Sequence, residues 1–292
     1  MKKKILFLIN PHAGKSEIRN YLLDIIDLFT KKCFSVTTRT THPSENNLKE
    51  DDEQYDLIVC CGGDGTLNQA VNEYMKLKSR PLFGYIPGGT VNDFAASLGL
   101  SRNPLEAAEE IMNGSVFACD IGLFNEKYFT YVAAFGAFTE VSYQTPQQAK
   151  NILGRIAYIL EGIKQLPNIK SYHILVEHSG GSIEDDFTFG MITNSSSVGG
   201  FQINNKKDIF MDDGLFEVTL VKSAKNLIER QMIINSLLHQ EADSNFIYTF
   251  KTDKLHIVSE TDIPWTLDGE FGGSLREVRI TNKNRALNIL TV

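Results

Sequence analysis

A glycine-rich segment constrains the fold of this chain more than any other feature. The run Cys-Cys-Gly-Gly-Asp-Gly-Thr-Leu-Asn occupies residues 60–68 and directly follows the apolar run Leu57–Val59. This pattern predicts a buried strand, a tight loop and then a helix. Glycine permits positive φ and lets amide N–H groups approach an anion, toward which the helix also points its positive end. The alternative is a plain turn after a core strand.

The carboxylate of Asp64 narrows the kind of site that this loop predicts. It would repel a phosphate unless a cation lay between them, so the loop predicts a site for a Mg²⁺-nucleotide. Two common phosphate loops do not fit. A Walker A motif ending at Gly14 needs a glycine where Ile9 stands, and no G-x-G-x-x-G fingerprint follows a first strand.

A second glycine loop follows the apolar run Leu82–Ile86. It reads Pro-Gly-Gly-Thr-Val-Asn-Asp-Phe over residues 87–94, and Asn92 and Asp93 are predicted to cap the helix that follows. Two strand-loop-helix units of one parallel sheet bring such loops to its carboxyl edge. That edge is where open α/β folds bind ligands.

The order of the predicted elements indicates two domains. Strands and helices alternate up to about Val116, after which strands dominate, with predicted helices only at about 147–165 and 226–240. The fold class is therefore α/β, with a doubly wound nucleotide-binding domain over residues 1–124 and a mostly antiparallel, β-rich second domain over residues 125–285. The active site is expected in the cleft between them.

Composition excludes several classes of function. The 292 residues are 42% hydrophobic, enough for two domains with cores, and the net charge of −7 argues against nucleic-acid partners and polybasic membrane recruitment. No apolar run reaches the ~18 residues of a membrane span. The four cysteines have no metal-ligand spacing and are predicted to be reduced core residues of a cytoplasmic protein.

Two acidic segments lie in the second half of the chain. If residues 267–270 are extended, Asp268 and Glu270 point to one face, where mutual repulsion would raise the pKa of one carboxylate and make it a proton acceptor. A solvated acidic hairpin tip is the alternative. The other segment is Asp212-Asp213-Gly214-Leu215, which as a sequence is also an ordinary turn before a strand.

The two glycine loops, with Asn10-Pro11-x-x-Gly14-Lys15 after the first strand, resemble the diacylglycerol kinase catalytic domain family, specifically its soluble bacterial lipid kinases. NAD kinases and phosphofructokinases share the first loop. NAD kinases carry a different segment in place of the second loop, which favours a lipid kinase over an NAD kinase-like phosphotransferase. A non-catalytic nucleotide- or lipid-binding regulator is a further alternative, although every carboxylate expected for catalysis is present.

The resemblance implies an ATP-dependent enzyme that transfers the γ-phosphoryl group to a lipid hydroxyl, with diacylglycerol as the expected acceptor and phosphatidic acid as the product. It implies that Glu270 or Asp268 accepts the hydroxyl proton and that residues 286–292 return to the first domain. The residues implied to bind the nucleotide are Asn10, Thr41, Gly62, Gly63, Asp64, Gly65, Thr66, Leu67, Asn68, Gly88, Gly89 and Thr90.

The resemblance also implies two Mg²⁺ ions. One accompanies the nucleotide and is oriented through waters by Asp64, Asp93 and Asp120, so that Asp64 counts among the catalytic residues. The second is structural and is held by the Asp213 carboxylate and the carbonyls of Phe210 and Leu215. The expected partners are a lipid with a free hydroxyl and, transiently, the inner face of the cytoplasmic membrane. A homodimer is also expected, and no nucleic acid.

Overall fold

The computed structural model describes residues 2–14, 18–136, 170–195, 197–198, 201–202, 210–239 and 245–292. The chain divides into two compact units. The first contains Met1–Ile121, Lys127–Thr130 and Asn284–Val292, and the second contains Gly122–Glu126 and Tyr131–Lys283. The predicted helix over residues 147–165 lies outside the described residues.

The first unit is built on a parallel sheet. Its strands are β1 (Lys3–Ile9), β2 (Phe34–Thr40), β3 (Leu57–Gly62) and β4 (Leu82–Pro87), in the spatial order β2-β1-β3-β4. Beyond β4 lies the end of the last strand, where Ile289 pairs in parallel with Phe83. Because β1 has β2 on one side and β3 on the other, the strand order reverses at β1. Loops after β1 and β3 therefore flank the point where doubly wound folds bind ligands.

Helices accompany these strands in the alternation that the sequence predicts. They are α1 (Ile18–Lys31), a 3₁₀ turn (Glu50–Gln54), α2 (Asp64–Tyr74), α3 (Asp93–Leu98) and α4 (Pro104–Asn113). Helix α4 begins at Pro104 because the side chain of Asn103 accepts the N–H groups of Leu105 and Glu106 and because proline suits the first turn. Helix α1 packs Phe29 edge-to-face on Phe7 of β1, with ring centroids 5.7 Å apart.

The central position of β3 explains its composition. All six residues are buried, as expected for a parallel strand covered on both faces. Burial raises the pKa of the Cys61 thiol to about 12 and also raises that of Cys60, so both thiols stay protonated and unreactive. Cys119 is buried as well. The core prediction is wrong for Cys33, which is exposed at φ 65° in the turn between α1 and β2.

An ion pair fixes the polar segment that follows β2. The Arg39 guanidinium donates to both oxygens of Asp52, at 2.6 and 2.9 Å, and the Asp52 side chain is only 4% exposed. The N–H of Lys49 donates to the same carboxylate. The hydrogen bond to Asp52 is the main cause that raises the pKa of Arg39. This pair ties the 3₁₀ turn to the sheet edge.

We expect Asp52→Ala to lower the free energy of unfolding by about 2–3 kcal/mol, because it leaves a partly buried arginine without its counter-charge. That value is below the range for fully buried pairs, since water reaches part of Arg39. Denaturant unfolding measures the change. The neighbouring exposed residue supplies the control, Asp51→Ala, which should change stability by less than about 0.5 kcal/mol. Equal effects of the two substitutions would contradict this role.

The second unit is an antiparallel sheet. Strand β5 (Ser115–Phe124) begins in the first unit and ends in the second, and β6 (Lys127–Phe129) belongs to the first unit. The remaining strands are β7 (Val132–Gly136), β8 (Tyr172–His178), β9 (Gly181–Thr193), the short pair β10 (Ser197–Val198) and β11 (Phe201–Gln202), β12 (Phe216–Lys222), β13 (Ile247–Thr252), β14 (Lys254–Leu267) and β15 (Glu270–Thr291). Helix α5 (Leu227–His239) follows β12.

Two long strands hold this sheet together. Strand β9 pairs with β8 along its first half and with β7 and β12 along its second half, and β14 pairs with β8 and then with β7. Trp265 of β14 lies in the core against Phe135 and Phe124, at centroid distances of 4.8 and 5.1 Å. The middle of β14, around Glu260, is polar, and the register of its ladder with β15 shifts between Val258 and Ile263.

Candidate active site

The first glycine loop lies between β3 and α2. Gly63 is the N-cap of α2, with φ −85° and ψ −178°, and it has no side chain to cap the N–H groups of the first turn. Those donors, with the positive end of the helix, form an arrangement suited to an anion. The expectation of positive φ in the two loops is wrong: none of the described glycines at 62, 63, 65, 88 and 89 has it.

The glycines are needed because the two loops touch backbone to backbone. A Cβ on Gly63 would lie 3.2 Å from the Cα of Gly89, and a Cβ on Gly89 would lie only 2.6 Å from the Cα of Gly63. Gly14, after β1, does have a positive φ of 53°, and a Cβ there would collide with the carbonyl oxygen of Gly88. Three loops thus meet at glycine contacts that no side chain fits.

Two amides of the second loop are engaged within the protein. The N–H of Gly88 donates to the carbonyl of Gly62 at 2.7 Å, and the N–H of Gly89 donates to Oδ1 of Asn92 at 2.9 Å. In this structure they join the loops to each other, and a role for Gly88 and Gly89 in nucleotide binding stays a prediction.

Asn92 organises the second loop, which sequence reasoning did not anticipate. It has a left-handed backbone (φ 56°, ψ 56°), and its side chain bonds both the N–H and the carbonyl of Gly89 instead of capping α3, so the capping prediction is wrong for this residue. Its own N–H donates to Oδ2 of Asp64 at 2.9 Å. The hydroxyl of Tyr85 donates to the carbonyl of Gly62. The sequence feature that could have indicated this conformation is the residue type at position 92, because asparagine tolerates the left-handed region better than most residues.

The structure brings some of the other predicted binding residues together. Nδ2 of Asn10 donates to the hydroxyl of Thr66 at 2.8 Å, which joins the loop after β1 to α2. The N–H of Thr41 continues the β1–β2 ladder by donating to Ile9, and Thr90 is exposed at the tip of the second loop.

Two residues of α2 face other parts of the same unit. The side chain of Leu67 is buried in the core, and its N–H donates to the carbonyl of Gly63. Nδ2 of Asn68 donates to the carbonyl of Tyr128 at 3.2 Å. These contacts give both residues a structural role in the first unit.

The three aspartates of the predicted Mg²⁺ network differ in their surroundings. Asp64 is half-buried in the first turn of α2, whereas Asp93 and Asp120 are 1% and 0% exposed. Oδ1 of Asp120 accepts from the side chain of Asn284 and from the N–H of Arg285. Within the described part of the chain, no group of three or more acidic, histidine or cysteine side chains is arranged to hold a metal ion.

This arrangement fits a Mg²⁺ ion that arrives on nucleotide phosphates. Such an ion keeps several waters and takes one or two carboxylates in addition to phosphate oxygens, so it needs no three-carboxylate cage. The half-buried Asp64 lies beside the uncapped amides of α2, where a phosphate would bind. Asp93 and Asp120 are too buried to meet a hydrated ion directly.

The Asp-Gly-Glu segment is a hairpin turn, not the extended strand that the sequence analysis assumed. Asp268 and Gly269 have φ values of 50° and 84°, and Leu267 pairs with Glu270, so the two central residues form a two-residue turn between β14 and β15. Positive φ at both positions is the type I′ pattern, for which Asp-Gly is a favoured sequence. The prediction that strand alternation places both carboxylates on one face is therefore wrong.

The two carboxylates of this turn are in different environments. Asp268 is 3% exposed, and its Oδ1 accepts the N–H groups of Tyr131 and Val132, each at 3.0 Å. It therefore fixes the turn to the start of β7. Glu270 is exposed. Of the two, only Glu270 presents its carboxylate to the solvent, where a substrate hydroxyl could reach it.

The Asp212-Asp213-Gly214-Leu215 segment does not fit a metal ion in this arrangement. Oδ1 of Asp213 accepts the N–H of Leu215, which closes an ordinary Asx turn, and Oδ2 lies 3.6 Å from the ammonium of Lys251. Lys251 also pairs with Glu217 at 3.0 Å. The lysine supplies the positive charge that a metal would supply. Phe210, whose carbonyl was predicted as a ligand, is 54% exposed.

A parallel sheet whose strand order reverses at β1, with glycine loops and an uncapped helix start at its carboxyl edge, defines a nucleotide-binding α/β protein. Comparison with known proteins specifies the family. Residues 4–124 match the model of the diacylglycerol kinase catalytic domain. The diacylglycerol kinase of Bacillus subtilis strain 168 is 33% identical over 280 residues, which cover 94% of this chain and 91% of that protein.

Two further matches cover more than nine-tenths of both chains. The diacylglycerol kinase of Staphylococcus saprophyticus is 32% identical over 94% of this chain and 91% of its own. A crystal structure from Bacillus anthracis strain Sterne, provisionally described as a diacylglycerol kinase, superposes with a TM-score of 0.82 at 26% identity, over 100% of this chain and 95% of that one. The chain belongs to the diacylglycerol kinase family.

Family membership makes the protein a lipid kinase, that is, a phosphotransferase that uses ATP. The predicted fold class is confirmed by the same structural match. The comparisons do not favour the NAD kinase-like or the non-catalytic alternative. No helix in the described ranges has the length and apolar character needed to cross a membrane.

Proposed function

We propose that the protein transfers the γ-phosphoryl group of ATP to the free hydroxyl of diacylglycerol and so produces phosphatidic acid. The observation that carries the choice of acceptor is the similarity, over 94% of this chain, to a Bacillus subtilis protein named diacylglycerol kinase. The paired glycine loops support the nucleotide half of the proposal, and the exposed carboxylate of Glu270 supports the acceptor half.

In the nucleotide half, the N–H groups at the start of α2 hold the phosphates. Phosphoryl transfer consists mostly of positioning and charge neutralisation, so rigid placement of these donors is what the chain contributes. The contacts among Gly63, Gly89 and Asn92 supply that rigidity. Asn10, Thr41 and Thr90 are proposed to add hydrogen bonds to the nucleotide.

Mg²⁺ on the nucleotide would neutralise the charge that develops on the phosphate oxygens. Asp64 is the residue that we propose orients this ion. Its Oδ2 is held by the N–H of Asn92, so the carboxylate has a fixed direction at the helix start. Asp93 and Asp120 are proposed to support this position from within the protein, without touching the ion.

In the acceptor half, the lipid hydroxyl oxygen forms a bond to the γ-phosphorus while the bond from that phosphorus to the bridging oxygen of ADP breaks. Glu270 accepts the hydroxyl proton as the new bond forms. Asp268 is a positioning residue, because it holds the turn that carries Glu270 and its Oδ1 accepts the N–H groups of Tyr131 and Val132. This assigns distinct roles to the two acidic residues.

The test is transfer of labelled phosphate from ATP, with Mg²⁺, to a total lipid extract, with the product identified by its mass. The expected product is phosphatidic acid, formed in proportion to added diacylglycerol. Labelling of another lipid alcohol would replace diacylglycerol as the acceptor. In a parallel reaction to which NAD is added, labelling of NAD with no label in the lipid fraction would overturn the proposal.

The membrane partner and the location also belong to this proposal. Diacylglycerol is a bilayer lipid, so the enzyme must contact the inner face of the cytoplasmic membrane at least transiently. A homodimer stays a prediction from the family resemblance. Light scattering at several protein concentrations would decide between a monomer and a dimer.

The second, structural Mg²⁺ at Phe210, Asp213 and Leu215 stays a prediction of the resemblance, and the proposed reaction does not use it. If it binds, added Mg²⁺ should raise the melting temperature of the wild type but not of Asp213→Ala, since a ligand stabilises only the state that binds it. The Lys251 contact leads us to expect the other result, an equal effect of Mg²⁺ on both proteins without nucleotide. The matched control is Asp212→Ala.

A further inference from the structure

The hydroxyl of Tyr85 is a polar group in an otherwise apolar strand. Tyr85 belongs to β4, is 0% exposed, and packs its ring against Phe94 of α3 with the ring centroids 6.3 Å apart. Phe83, two residues earlier and on the same face of the strand, fills the core without a hydroxyl. A buried hydroxyl has to recover the hydrogen bonds that it loses with water, so its partners show what it does.

These partners belong to the two glycine loops. The hydroxyl oxygen of Tyr85 lies 3.0 Å from the carbonyl oxygen of Gly62 and 3.4 Å from Oδ1 of Asn92. A hydroxyl has one proton to donate, so the shorter contact, to Gly62, is the main hydrogen bond. The Gly62 carbonyl also accepts the N–H of Gly88 at 2.7 Å. Both lone pairs of this carbonyl oxygen are therefore used.

Fixing this carbonyl also fixes the amide on the other side of the same peptide bond. The bond between Gly62 and Gly63 is trans, so the Gly62 carbonyl and the Gly63 N–H lie in one plane and point in opposite directions. A peptide between two glycines rotates more easily than others, because neither residue has a Cβ to disfavour the rotated form. With the carbonyl held by two donors from within the protein, the N–H of Gly63 is directed away from Tyr85.

We propose that Tyr85 is a positioning residue for the nucleotide, whose hydroxyl holds the Gly62–Gly63 peptide so that the Gly63 N–H faces the phosphates of Mg²⁺-ATP. This inference rests on the proposed function, because it requires that the first glycine loop binds those phosphates. Tyr85 does not touch the nucleotide in this role. It restricts a flexible peptide before the nucleotide arrives, and a donor that is already oriented binds more tightly than one that must first be ordered.

The test compares Tyr85→Phe with Tyr74→Phe. Tyr74, at the end of α2, is a matched control because it is also 0% exposed, packs edge-to-face against Phe83, and donates its hydroxyl proton to the carbonyl of Pro81 at 2.7 Å. Each substitution removes one buried hydroxyl and keeps the ring, so both variants should fold and should lose a similar part of the thermal stability. Circular dichroism and thermal unfolding measure this.

Nucleotide affinity distinguishes a positioning role from a purely structural one. In calorimetric titration with Mg²⁺-ATP, Tyr85→Phe should bind about three- to tenfold more weakly than the wild type, within the range that one neutral hydrogen bond covers. Tyr74→Phe should bind as the wild type does. In the lipid kinase assay, the KM for ATP of Tyr85→Phe should rise by the same factor, while kcat at saturating ATP and the KM for diacylglycerol stay unchanged.

The outcomes separate this inference from the proposed function. Equal affinity of folded Tyr85→Phe and the wild type would overturn the positioning role, and so would an equal loss of affinity in Tyr74→Phe, which would indicate general destabilisation. A wild type that binds Mg²⁺-ATP but phosphorylates no diacylglycerol would refute the proposed acceptor and leave the role of Tyr85 in place. A wild type that does not bind Mg²⁺-ATP would refute both.

Discussion

Replacing Gly63 with valine is expected to lower the affinity for Mg²⁺-ATP at least 100-fold, about 2.7 kcal/mol, while leaving the fold intact. The backbone at Gly63 is extended and accepts valine without strain. The loss arises instead from the 3.2 Å approach to Gly89, because a Cβ with two methyl groups must push the second loop away. Calorimetric titration with ATP and Mg²⁺ measures the affinity.

A graded series makes this prediction sharper. Gly63→Ala should have an intermediate effect, since one methyl group needs only a small shift of Gly89. The control is Gly180→Ala in the second unit, where a Cβ would meet only the ring of His178 at 3.0 Å. Its affinity should not change. If folded Gly63→Val binds ATP as tightly as the wild type, the first loop is not the phosphate site.

Glu270→Gln is expected to lower kcat by about 10²- to 10⁴-fold with little change in the KM for ATP, as the loss of a general base does. The amide keeps the size of the side chain but cannot accept the proton. Turnover is measured with a short-chain diacylglycerol in mixed micelles over a series of Mg²⁺ concentrations. The Mg²⁺ requirement should be unchanged, because Glu270 is not proposed to orient the ion.

Asp268 provides the contrasting variants. Asp268→Ala removes the acceptor of two buried N–H groups, so we expect it to lower the free energy of unfolding by about 2–4 kcal/mol and activity with it. Asp268→Asn keeps one acceptor oxygen and should recover part of the stability. Near wild-type turnover in Glu270→Gln would transfer the role of the base to Asp268. Full activity in both Glu270→Gln and Asp268→Asn would refute the mechanism.

The sequence predicted the nucleotide unit well because its signals are local. A strand fully covered by helices reads as a short apolar run, and glycines mark where it ends, so β3 and β4 were found with bounds close to those observed. Helix α4 carried its own start signal in Asn103 and Pro104. The family resemblance rested on the same two loops.

What could not be predicted is which polar group faces which. Gly63 and Gly89 were expected to be glycines so that phosphate could approach. The structure shows a further reason, which is that the two loops, distant in sequence, touch at these residues and leave no room for a Cβ. Asn92 bonds backward to Gly89, a choice that capping rules do not distinguish. The Asp268-Gly269 sequence does favour a two-residue hairpin turn, whereas the prediction of one face for both carboxylates assumed an extended strand through this position.

The division of the chain also bears on the order in which the protein can fold. Residues 284–292 complete the first unit: Ile289 lies along β4, and Asn284 and Arg285 donate to the buried carboxylate of Asp120. A ribosome makes this segment only after the whole of the second unit has been synthesised. A fragment limited to residues 1–124 would leave one edge of β4 unpaired and a buried aspartate without these donors. The stretch that identifies the family should therefore not be stable when expressed by itself.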